Sequence, residues 1–87
     1  MKKDVVIYTF DTCPYCIRAK RLLKNKGVDF NEIDITNERE KLDELKLKTD
    51  CSTVPQIFVD DKFIGGCDDV VALHKEGKFD DIFIKQP

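Results

Sequence analysis

Val5-Val6-Ile7-Tyr8-Thr9-Phe10-Asp11-Thr12-Cys13-Pro14-Tyr15-Cys16 is the stretch that decides the fold. Residues 5–8 are β-branched and aromatic with no helical spacing, which predicts a buried strand covered on both faces and ending near Thr9. Beyond it, Ile17, Ala19, Leu22 and Leu23 recur at near-helical spacing. Pro14 suits a first helical turn, basic residues fill the last turn, and Gly27 supplies a stop. Cys13 therefore sits where strand one meets helix one. In open α/β sheets the crevice beyond the strand carboxyl ends is the usual ligand site, so the Cys13/Cys16 pair stands where chemistry is expected.

Working outward, Val28, Phe30, Ile33 and Ile35 carry an extended pattern that reads as a second strand. Asp34-Ile35-Thr36-Asn37 offers an N-cap for a second helix, in which Leu42, Leu45 and Leu47 form a thin apolar stripe on an otherwise charged surface. Ile57-Phe58-Val59, the turn-forming Asp60-Asp61 and Phe63-Ile64 before Gly65-Gly66 read as an antiparallel hairpin. Asp68-Asp69 are placed to cap a short helix through Val70, Val71, Leu73 and His74 that stops at Gly77. Phe79, Ile82 and Phe83 are placed to dock a last helical turn on the sheet. The order is βαβαββα, an α/β architecture with four strands in one mixed sheet flanked by helices.

The 87 residues fit one domain spanning 1–87, with no repeat, linker or break in composition. A net charge of −2, with Leu, Ile, Val and Phe plentiful, argues against disorder. The mild acidity offers no electrostatic footprint for nucleic acid or an anionic membrane. No run approaches the roughly 18 apolar residues needed to span a bilayer, and Val5-Val6-Ile7-Tyr8 is too short for a signal-peptide core. The expected address is the cytoplasm. Without an export signal, Cys13, Cys16, Cys51 and Cys67 are expected to be catalytic or metal-binding thiols rather than a disulfide scaffold.

With Pro14 at the first helical position, Cys13 becomes the N-cap. Its sulfur can accept backbone N–H groups at Tyr15 or Cys16, and the helix dipole adds to the preference for a thiolate. Cys13 is thus the expected nucleophile. Cys16 lies one turn on along the same face, within the Cα separation of about 4.4–6.8 Å that a disulfide needs. It is expected to be more buried, less activated and able to resolve a mixed disulfide. A structural zinc site wants a second close pair, but Cys51 and Cys67 are far apart and His74 stands alone, so no metal is expected. A purely structural Cys13–Cys16 bond would close too small a loop to stabilise much. Redox exchange remains.

Three segments in this order, Thr12-Cys13-Pro14-Tyr15-Cys16, Thr53-Val54-Pro55-Gln56-Ile57-Phe58 and Gly65-Gly66-Cys67-Asp68-Asp69, resemble a dithiol glutaredoxin of the thioredoxin fold over nearly the whole chain. The resemblance implies a glutathione-dependent thiol–disulfide oxidoreductase that reduces glutathionylated proteins and disulfides through nucleophilic Cys13 and resolving Cys16. It implies glutathione as co-substrate, no permanently bound cofactor, and a monomer. It further implies a glutathione site at Tyr15, Thr53, Val54, Pro55, Gly66, Cys67 and Asp68. There Pro55 would be cis, Val54 would pair with the cysteine moiety, Tyr15 would wall the groove, and Gly66, Cys67 and Asp68 would face the γ-glutamyl end. Asp68 would accept from the ligand's ammonium, and N–H groups opening helix three would receive its α-carboxylate.

Two rivals share these residues. One is a thioredoxin-like donor fed by a flavoprotein reductase, against which Gly65-Gly66-Cys67-Asp68-Asp69 argues. The other is a dimer holding an iron–sulfur cluster between two Cys13 thiolates and two glutathiones, against which Pro14 and Cys16 argue. Two departures from the family pattern stand out. Phe10 occupies a position where many members carry a Lys that supports the thiolate and the glycine end of glutathione, which implies weaker support for both; Arg39 and Lys48 are candidates to replace that charge. Cys51 stands where the pattern has no cysteine, either as a small buried hydrophobe or as an exposed thiol open to glutathionylation. Cys67 is expected to wall the groove, and His74 to lie on a solvated helix face.

Overall fold

The computed structural model describes residues 3–84. β1 (Val5–Thr9) alternates buried and half-buried positions, and both of its faces are covered, as its sequence predicts. Val5 and Ile7 enter a core with Ala19, Leu23, Ile57, Val59, Val70, Phe79 and Phe83, while Val6 and Tyr8 pack on the opposite side against Ile35, Leu45 and Phe58. The remaining elements are α1 (Pro14–Asn25), β2 (Asn31–Asp34), α2 (Arg39–Thr49), β3 (Gln56–Val59), β4 (Lys62–Gly65), α3 (Cys67–Lys75) and α4 (Phe79–Phe83). The last helical turn expected at residues 79–83 is thus a short fourth helix.

The four strands form one mixed sheet in the order β2-β1-β3-β4. β1 runs parallel to β2 and antiparallel to β3, and β3 runs antiparallel to β4. The α1 crossover between parallel neighbours covers one face together with α3 and α4, and α2 covers the other through Leu42 and Leu45. Asp60 and Asp61 both take positive φ, +50° and +67°, the geometry of the tight turn that closes the β3–β4 hairpin. Among the described residues no helix is long and apolar enough to cross a membrane.

Three local expectations need correction. α2 is not capped from Asp34-Ile35-Thr36-Asn37: the Asp34 carboxylate instead accepts from the Thr36 backbone N–H and hydroxyl, forming a turn, and the helix begins after Glu38 without a side-chain cap. Of Asp68 and Asp69, only Asp69 caps α3, and it does so from inside the helix. Gly66 is the N-cap, and Asp69, inside the first turn, reaches back to accept the Gly66 N–H at 2.9 Å. Leu47 is 89% exposed, because α2 turns only the Leu42 and Leu45 side toward the sheet.

Candidate active site

Cys13 is the N-cap of α1, with extended backbone angles (φ −108°, ψ 110°) and Pro14 in the first turn behind it. Its Sγ accepts the Cys16 backbone N–H at 3.2 Å, so the sulfur meets a donor that the helix itself leaves unpaired. The Cys13 thiol donates to the Val54 carbonyl oxygen at 3.8 Å, which ties the β1–α1 junction to the loop preceding β3. Cys13 is partly exposed, whereas Cys16 is 1% exposed. Burial pushes the Cys16 thiol up to about 12 from its ordinary 9.0, and its hydrogen bond to Cys13 and the charge of that neighbour push the same way; a backbone hydrogen bond with Phe10 and the Lys20 ammonium oppose them. The two sulfurs are inequivalent, as their positions in the sequence predict.

Val54–Pro55 is a cis peptide bond, the geometry the resemblance implies for this proline. Tyr15, Thr53, Val54, Pro55, Gly66, Cys67 and Asp68 all line one groove of about 460 Å³, with Cys51, Gln56, Phe63 and Asp69 completing its wall. Tyr15 offers an exposed ring at its edge, and the Arg18 guanidinium sits 6.0 Å from that ring's centre. The sheet brings the walls together from distant parts of the chain. α1 supplies Tyr15, the segment before β3 supplies Thr53 to Pro55, and the start of α3 supplies Gly66 to Asp68. An added Cβ on Gly66 would lie 3.2 Å from the Pro55 carbonyl oxygen, so a side chain there would crowd the two walls. Cys67 is buried beneath the groove; burial, then Asp68, push its thiol up, with Arg18 opposing. Among the described residues no group of three or more His, Cys, Asp or Glu is arranged to hold a metal ion.

The glutaredoxin family model matches residues 5–64. The chain belongs to the glutaredoxin family. It is 54% identical over 76 residues to glutaredoxin of Pseudomonas aeruginosa, covering 87% of this chain and 90% of that protein. It is 51% identical over 77 residues to glutaredoxin 3 of Escherichia coli K12, covering 88% and 93%. Among solved structures, the glutaredoxin of Brucella melitensis matches with a TM-score of 0.84 at 48% identity, over 94% of this chain and 89% of that one. A buckwheat glutaredoxin–glutathione complex matches with a TM-score of 0.88 at 31% identity, over 93% and 76%. As a glutaredoxin, the chain has the thioredoxin-like fold and is a thiol–disulfide oxidoreductase.

In this glutaredoxin Phe10 packs with Tyr8, Val54 and Phe63 against the Phe58 cluster. Its ring is therefore committed to the apolar face that α2 covers. The Lys48 ammonium lies over the Phe58 ring at 5.3 Å, on that same side of the sheet. Cys51 is half-buried and lines the groove, so it is neither wholly core nor fully exposed. His74 is exposed, its ring edge-on to buried Phe79. Sequence reasoning assigned no role to Gln56, which is 1% exposed. Its Nε2 donates to the Cys51 and Thr53 carbonyls at 2.8 and 3.0 Å, and its Oε1 accepts from the Thr49 hydroxyl at 3.0 Å. One amide thus fixes the backbone that walls the groove. The available signal was an amide at the head of an otherwise apolar strand, since a buried amide must find partners.

Proposed function

We propose that this glutaredoxin reduces glutathionylated proteins and protein or low-molecular-weight disulfides with glutathione as reductant, acting as a single-domain monomer in the cytoplasm. The observation that carries the reading is the partly exposed Cys13 sulfur, held by the Cys16 N–H and hydrogen-bonded to the carbonyl of Val54, which lines the groove together with Tyr15, Pro55 and Asp68. A relative solved as a glutaredoxin–glutathione complex supports it. Cys13 attacks the glutathione sulfur of a glutathionylated substrate; a Cys13–glutathione disulfide forms, the substrate thiol leaves, and a second glutathione restores Cys13 while releasing oxidised glutathione. With a protein disulfide, Cys16 displaces the substrate from Cys13 and closes the Cys13–Cys16 bond, which glutathione reopens.

In the groove, Val54 pairs with the cysteine moiety of glutathione, while Asp68 and the N–H groups at the start of α3 take the ammonium and carboxylate of the γ-glutamyl end. Phe10 leaves the glycine carboxylate without the cation that the family resemblance implies at that position. The test of the function is turnover of a glutathionylated peptide with glutathione, for the native chain and for Cys13→Ser and Cys16→Ser. An inactive Cys13→Ser with an active Cys16→Ser is the expected result. Failure of glutathione to drive the native chain would overturn the glutathione assignment and favour a reductase-fed carrier.

A further inference from the structure

Behind the cysteine pair lies a hydrogen-bonded cluster that none of these steps uses. Thr9, fully buried at the end of β1, donates its hydroxyl to Glu32 Oε2 at 2.7 Å, and the Lys20 ammonium donates to the same oxygen at 2.9 Å. Lys20 stands four residues beyond Cys16 on α1, hence on the same helix face. Its side chain is only 27% exposed, so it is held at the sheet rather than free in solvent. The charged and titratable groups acting on Cys16 are Cys13, which disfavours its thiolate, and Lys20, which favours it. Lys20 is in turn partly neutralised by Glu32 on β2, whose own carboxyl is held low by the Thr9 hydroxyl and then by Lys20.

We propose that Lys20 is a positioning residue for the resolving step: its ammonium, fixed by Glu32, which Thr9 holds in turn, stabilises the negative charge on the Cys16 sulfur as it attacks a mixed disulfide on Cys13, and Glu32 sets how much of that charge Cys16 feels. The inference rests on the reading that Cys16 resolves Cys13 adducts, though not on glutathione. In the step, Cys16 loses its proton and its sulfur attacks Cys13 Sγ. The Cys13–Cys16 bond forms, the bond from Cys13 to the substrate sulfur breaks, and the departing thiolate takes up a proton. Cys16 is oxidised and the substrate sulfur reduced. Because Cys16 is 1% exposed, solvent contributes little to stabilising its thiolate, and a nearby fixed cation matters more than it would at the surface.

The sign of two substitutions separates this role from a structural one. Raising the pKa of an attacking thiol by one unit cuts its thiolate fraction tenfold but makes that thiolate about threefold more nucleophilic, a net loss of about threefold. Lys20→Met therefore slows resolution about threefold for each unit by which the Cys16 pKa rises. Glu32→Gln keeps an oxygen for Thr9 and Lys20 while removing the neutralising charge, so it speeds resolution.

The experiment is rapid mixing with a symmetrical chromogenic aryl disulfide, in a Cys51→Ser background that removes the other partly exposed thiol. The first aryl thiolate released reports attack by Cys13, and the second reports attack by Cys16. The expected result is a first release that keeps its rate, with a second release slowed in Lys20→Met and accelerated in Glu32→Gln. Equal slowing of both releases, slowing of the second by both substitutions, or no second release in the parent chain would overturn the proposal. Because the reagent contains no glutathione, loss of the glutathione assignment leaves this result readable.

Discussion

The Cys16 backbone N–H donates to the Cys13 sulfur at 3.2 Å, while the Cys16 side chain itself is only 1% exposed. One residue thus supplies Cys13 with a backbone donor while keeping its own sulfur out of solvent. Burial, the contact with Cys13 and the charge of that neighbour all oppose ionisation of the Cys16 thiol. A limiting amount of iodoacetamide at neutral pH should therefore modify Cys13 first, Cys51 more slowly, and Cys16 and Cys67 not at all in the folded chain. Peptide mass mapping reads this directly, and comparable labelling of Cys16 would show that its burial does not govern its reactivity.

The same asymmetry has a consequence for stability at high pH. The folded Cys16 thiol titrates at about 12 against an ordinary 9.0, so its contribution to stability is complete below about pH 9 and is lost as pH rises toward about 12. Across that interval the unfolded chain releases a proton that the folded chain keeps. Urea unfolding of the native chain should lose stability more steeply above about pH 9 than unfolding of Cys16→Ala, which has no such proton. Parallel curves would mean that Cys16 is no harder to ionise in the fold than out of it.

At the acid end the governing pair is Thr9 and Glu32. The Thr9 hydroxyl, then Lys20, hold the Glu32 carboxyl below its ordinary 4.5, so this stabilisation is present above about pH 4.5 and is lost as pH falls through the folded value. Thr9→Val keeps the buried shape and removes the largest cause. It should lower the melting temperature at neutral pH, with a free-energy effect under about 1 kcal/mol because Glu32 is largely exposed, and the difference from the native chain should shrink in acid. A difference independent of pH would assign the effect to packing of the valine.

Gly65 takes φ +139°, and a Cβ there would lie 2.6 Å from the Asp69 Cβ, overlapping the side chain that accepts the Gly66 N–H. Gly65→Ala must therefore strain the backbone or displace the Asp69 cap, at a cost of about 1–3 kcal/mol. Since α3 begins at Cys67 beside the groove, turnover should fall along with stability, whereas Asp69→Asn, which still accepts from Gly66, should cost less. Chemical unfolding of the two variants side by side decides the order.

How far the sequence carried depended on whether a residue's role was local. The β1–α1 junction was legible because the change from a strand run to helical spacing and the Cys13-Pro14 pair are both local signals, and the α1 cap followed from them. The beginning of α2 was not, because Asp34 had two uses for its carboxylate and spent it on Thr36. Leu47 looked like part of an apolar stripe, but a charged helix resting on the sheet through Leu42 and Leu45 has no second contact to bury it. Val28 and Phe30 carried an extended pattern yet precede β2, and they are buried or packed against the core from the loop. The groove residues were found through the family pattern. Composition and periodicity alone place the cysteines but cannot bring Val54 or Asp68 to them, since that meeting depends on the strand order β2-β1-β3-β4.

Gln56 lies furthest from what local signals reveal, because its partners are carbonyls whose positions only the folded loop fixes. Its amide donates to Cys51 and Thr53 and accepts from Thr49, so Gln56→Leu removes three hydrogen bonds and leaves two carbonyls beside an apolar side chain. At about 1 kcal/mol per hydrogen bond, and more for a group left buried and unpaired, the loss should be about 2–4 kcal/mol. The functional effect should be selective. The loop carrying Val54 loosens, while Cys13 loses at most its long contact to the Val54 carbonyl and keeps its α1 cap, so KM for a glutathionylated peptide should rise more than kcat falls. Steady-state kinetics on a fraction shown to be folded by circular dichroism would check this, and a fall in kcat at unchanged KM would mean that the amide supports the chemistry at Cys13 rather than the shape of the groove.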